Sequence, residues 1–144
     1  MSAFSDYVEN KVIDALMRGQ SFPTITNVHV ALFTAAPSDS GGGTEVSGNN
    51  YGRVSVSAAL SAWAGTQSAG STAASSGTGG VTSNNSAISF PTPSGSWGTV
   101  THWGLFDAST GGNLLVHAAL TASKTINSGD TVSFASGALQ VTVA

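Results

Sequence analysis

The sequence predicts an all-β fold: an antiparallel β-sandwich or jelly-roll-like domain with one short N-terminal α-helix. Three observations predict it. Short apolar runs, alternating or β-branched, recur from residue 28 to the C-terminus, with Gly, Pro, Asn and Asp turn signals between them. Helical periodicity is confined to residues 2–18. The chain has 144 residues and no cysteine, so it is the size of one domain, 1–144, that folds without disulfides or thiolate-bound metal.

Within residues 2–18, Phe4, Val8, Val12 and Leu16 recur at every fourth position and form an apolar stripe, with Tyr7 and Ala15 beside it. Asp6 and Glu9 suit the positive end of the helix dipole, Asp14 can pair with Arg18 one turn on, and Gly19 can end the helix in a left-handed conformation. So short a helix is marginal alone in water, and its stripe must dock. Phe4, Tyr7, Val8, Val12 and Leu16 are therefore the candidate interface residues, either with the chain's own domain or with a neighbouring subunit.

Strands follow. Val28–Phe33 is the first, closed by Ala36-Pro37-Ser38-Asp39 and the glycines at 41–43. Arg53–Ala59 alternates Val54 and Val56 with Ser55 and Ser57, a strand with one dry face. Residues 60–86 are of low complexity. From 64 onward they are almost entirely Ala, Gly, Ser, Thr and Asn, too poor in apolar side chains to offset the entropy of ordering, and they read as an exposed loop. Ala87–Phe90 is a short strand stopped by Pro91 and Pro93. Trp97–Asp107 and Asn113–Leu120 form a hairpin across Ala108–Gly112. Lys124–Ile126 and Thr131–Phe134 read as a second hairpin around Asn127–Asp130, and Leu139, Val141 and Val143 alternate in a last strand. No heptad or longer repeat is present, so neither a coiled-coil shaft nor a solenoid is encoded.

Charge narrows the function. Asp, Glu, Lys and Arg make up 8% of the chain, with seven acidic and four basic residues and a net charge of −3. Four cations neutralise few phosphates, which argues against nucleic-acid binding. No apolar run approaches the ~18 residues of a membrane helix, and Asp6 and Glu9 interrupt what would be a signal peptide's apolar core. No serine lies in a Gly-x-Ser-x-Gly turn, and neither a phosphate-binding loop nor a dinucleotide fingerprint occurs, so no catalytic residue and no cofactor is expected. Asp39, Asp107 and Asp130 fall in turns, which they favour, while Glu45 has no evident structural task. His29, His102 and His117 lie on strands, the latter two on the hairpin arms. Their spacing matches no metal motif and no metal is expected. Trp97 and Trp103, six residues apart, would share one side of a strand. They fill a sandwich core or, with Trp63, Tyr7 and Tyr51, form platforms for sugars.

Several stretches resemble a widespread family of small phage and prophage proteins. They are Phe4-Ser5-Asp6-Tyr7-Val8-Glu9-Asn10-Lys11, Val30-Ala31-Leu32-Phe33-Thr34 with Pro37 after it, and Thr44-Glu45-Val46-Ser47-Gly48 leading to Tyr51-Gly52-Arg53. The longest runs from Ser96-Trp97-Gly98 through Gly104-Leu105-Phe106-Asp107 to Gly111-Gly112-Asn113-Leu114-Leu115. Members are labelled phage tail fibre or Gp80-like proteins. The resemblance spans the chain except residues 60–86. It implies a non-enzymatic virion protein, assembled in the host cytoplasm, whose partners are other virion proteins, the major capsid or tail proteins. One compact domain without a shaft fits a capsid decoration (cement) protein, expected as a homotrimer on three-fold positions of a shell, or a tail-fibre-type component. The alternative from another class is a carbohydrate-binding module for host-surface attachment.

Overall fold

A computed structural model describes residues 2–143. The elements in chain order are β1 (Ala3–Phe4), α1 (Asp6–Met17), β2 (Asn27–Ala35), β3 (Thr44–Glu45), β4 (Val54–Ser57), β5 (Val81–Ser83), β6 (Ile88–Ser89), β7 (Gly98–Phe106), β8 (Leu114–Ile126), β9 (Ser133–Phe134) and β10 (Gln140–Thr142). The main sheet runs β1-β8-β7-β2, and the far edge of β2 is shared by β3 and β4, which pair with different parts of it. Two antiparallel ribbons, β5–β10 and β6–β9, supply a second layer, and every pairing is antiparallel. This is the expected all-β, sandwich-like architecture with one helix.

The core follows from strand register. Partners across a ladder share a face, so Val30, Leu105 and Val116 form one buried row and Leu32, Trp103 and Ala118 the next. Ile88, Phe90, Leu139 and Val141, from the second layer and its connections, pack against them. Trp97 joins the same cluster, with its indole N–H donated to the Asn49 carbonyl at 2.9 Å. The second layer is incomplete. Between β8 and the ribbons an open groove of about 810 Å³ reaches down to Leu32, Val100 and Trp103.

Three elements differ from the sequence reading. The helix begins at Asp6, because Ser5 is its N-cap: extended at φ −77°, ψ 158°, it accepts the Val8 N–H on its side chain. Phe4 therefore lies outside the helix, in a two-residue strand opposite Val116. The periodicity that placed it on the stripe was coincident with a capping serine already visible in the sequence. The expected hairpin around Asn127–Asp130 is absent. β8 continues as one strand to Ile126, and the chain then crosses layers so that β9 pairs with β6. The Asn127–Asp130 turn itself is formed, closed by Asp130 accepting the Asn127 N–H at 2.7 Å.

The third difference concerns residues 60–86. Val81–Ser83 is a strand paired with β10, and Asn84 is among the most deeply buried side chains. Its amide donates to the Ser86 and Ala135 carbonyls at 2.8 and 2.9 Å, and its carbonyl accepts the Leu139 N–H at 2.9 Å. Asn84 thus replaces a stretch of sheet ladder with side-chain bonds, which is why no apolar run announces it. The preceding loop is folded around Gln67, which accepts the Ser76 N–H and donates to Ser71 Oγ and the Ala74 carbonyl. Two parts of the stretch should respond differently to deletion. Replacing 66–78 with a short Gly-Ser linker should leave Tm within a few degrees, because shortening a surface loop costs little entropy. Asn84→Ala should cost about 3 kcal/mol by leaving buried backbone groups unpaired, read as a lower midpoint in urea unfolding.

Candidate functional site

The stretches that carry the family resemblance are far apart in sequence and meet at one cleft. Its walls come from Ser5 to Tyr7, Phe33, Glu45, Arg53, Phe106 and Gly111 to Leu114, with the Asp39–Gly43 loop as its rim, and it encloses about 520 Å³. Strand register brings the stretches together. Phe33 of β2 and Phe106 of β7 stand on the face of the sheet opposite the core row, with ring centroids 6.2 Å apart. Gly104 lies beneath them. A Cβ there would meet Phe33 Cε2 and Leu114 Cδ1 at 3.0 Å, so a side chain would lift the aromatic pair off the sheet.

Arg53 organises the cleft. Its guanidinium lies 3.6 Å from the Phe106 ring centroid and its side chain is almost wholly buried. Nε and Nη2 donate to the two Glu45 oxygens, each at 2.8 Å, in a bidentate pair. Nη1 donates to the Ala108 and Gly111 carbonyls, both at 2.8 Å, and so ties the β7–β8 turn to the β3 and β4 edge. Tyr51 extends the network. Its hydroxyl donates to Glu45 Oε1 at 2.8 Å and accepts the Leu32 N–H at 3.0 Å. Burial pushes the Tyr51 phenol well above the ordinary tyrosine value, and the Glu45 charge adds to this. Glu45, the carboxylate without an evident task in the sequence, is therefore the acceptor that holds both residues.

The remaining carboxylates of turns and loops are also engaged. Asp107 accepts the Asn113 N–H at 2.7 Å and the Asn113 amide at 2.8 Å, closing the hairpin loop. Asp39 pairs with His117 Nε2 at 2.9 Å while its carbonyl accepts the Asp6 N–H at 2.9 Å, so the loop is pinned to β8 and to the start of α1. Asp14 pairs with Arg18 at 2.9 Å, as the i,i+4 spacing implied. Glu45, Asp39 and Asp107 thus hold loops and strands together around the cleft.

The other candidate residues are dispersed. His29, His102 and His117 share the face that carries Phe33 and Phe106, and a bulge beside Phe106 shifts the hairpin register so that His117 joins it. His102 lies opposite Ala119 and His117 opposite Gly104, so the two are diagonal neighbours and not a direct cross-strand pair. Among the described residues no group of three His, Cys, Asp or Glu side chains is placed to hold a metal ion. Trp97 and Trp103 are each 4% exposed and offer no ring face to a sugar.

The helix stripe is divided. Val8 is buried, and Phe4, Tyr7 and Val12 pack against the core at their edges. Leu16 is 74% exposed, with Met17 beside it at 81% and Ile13 also largely exposed. The helix is fastened at its first turn by Ser5 and Asp39, and Leu16 and Met17 of its last turn are exposed. Of the five candidate interface residues, only Leu16 is free to meet another molecule with its full side chain. Ile13 and Met17, which the every-fourth-residue pattern passed over, accompany it.

A family model described as podophage GP4 fiber I protein gp80 matches residues 3–142. The chain belongs to this Gp80 family. No curated relative matches it. As a Gp80 protein it is a structural component of a phage virion. The match runs through residues 60–86, so that stretch lies inside the family domain, in keeping with the packed β5 and Asn84.

Two measurements test the network. Arg53→Ala strands the Glu45 carboxylate and frees the hairpin turn. It should cost about 3 kcal/mol, on the order of 10 °C in Tm. Tyr51 gives a pH signature. Its folded-state value lies above the unfolded one near pH 10, so its protonated form contributes stability that is complete below about pH 10. Above that the unfolded chain binds fewer protons than the native one, and stability falls as pH rises. Tyr51→Phe should be less stable at pH 7 by about 1–2 kcal/mol, yet lose less Tm than the parent between pH 9.5 and 11.

Proposed function

We propose that this Gp80 protein is a non-enzymatic subunit on the surface of the phage particle. It is of the fibre type rather than a capsid decoration knob, and is held in its assembly by the outer face of α1. The family description supports the fibre placement. The observation that carries the docking surface is the apolar last turn of α1. Ile13, Leu16 and Met17 project into solvent from a helix whose opposite side is already committed to the core. Large apolar side chains clustered on a surface mark an interaction site. The engaged carboxylates of the Arg53 cleft favour scaffold over catalysis.

The division of the stripe makes this reading testable without unfolding the chain. Phe4 and Val8 stabilise the domain itself, so changing them confounds folding with assembly. Leu16→Ser with Met17→Ser removes apolar surface that is already wet. The purified double variant should keep Tm within about 2 °C of the parent, while its abundance in purified particles, read by quantitative mass spectrometry, falls at least tenfold. Normal incorporation of the variant would refute docking through α1.

A further inference from the structure

We draw no further inference here: the strongest candidate, the open groove of about 810 Å³ between β8 and the β5–β10 and β6–β9 ribbons, carries nothing, because nothing in the structure shows what covers it.

Discussion

The fold depends on what Arg53 does with its donors. One guanidinium holds a carboxylate from β3, two carbonyls from the β7–β8 turn and the face of a β7 phenylalanine. The farthest of those groups lies 58 residues from Arg53 in sequence. The pairing is bidentate and almost water-free on the arginine side, where a planar fork loses less freedom than an ammonium would. Because Glu45 also takes the Tyr51 hydroxyl, and Tyr51 caps the Leu32 N–H, the same network reaches into the core strand β2. In a chain with four cations, one of them is spent on architecture.

Elsewhere neutral side chains do the work that charges do in other proteins. Asn84, Asn85 and Gln67 hold the low-complexity stretch, and Asn49 and Asn50 tie their loop to the Ser96 and Thr92 carbonyls at 2.9 Å. An amide supplies donors and an acceptor together, so one buried asparagine can complete several backbone groups at once. This is how a segment too poor in apolar residues to form its own core becomes ordered. It borrows the core beneath it and needs only to satisfy its backbone.

The cleft and the helix differ in what they leave uncovered. At the Arg53 cleft the Glu45 and Asp39 carboxylates are occupied with holding loops together. The most exposed large apolar side chains, Leu16 and Met17, lie on the last turn of α1.

The sequence by itself determined the antiparallel all-β class, the single helix, the long β7–β8 hairpin, the Asp14–Arg18 pair and the family. Each is written in local order: period-two alternation, a four-residue repeat, Gly-Gly after a turn, matched motifs. It also held the true helix start in Ser5, although the repeat through Phe4 drew the boundary too early. The tertiary structure decided everything that depends on pairing between distant segments. It gave Glu45 its partner, set His102 opposite Ala119 and not His117, buried Trp97 and Trp103, and turned β9 away from β8 toward β6. It also divided the helix stripe, because where a helix leaves the sheet depends on where its first turn is fastened. The physical reason is common to all of these. Local propensity is set by neighbours in the chain, but a salt bridge, a register or an exposed face is set by which strands lie side by side.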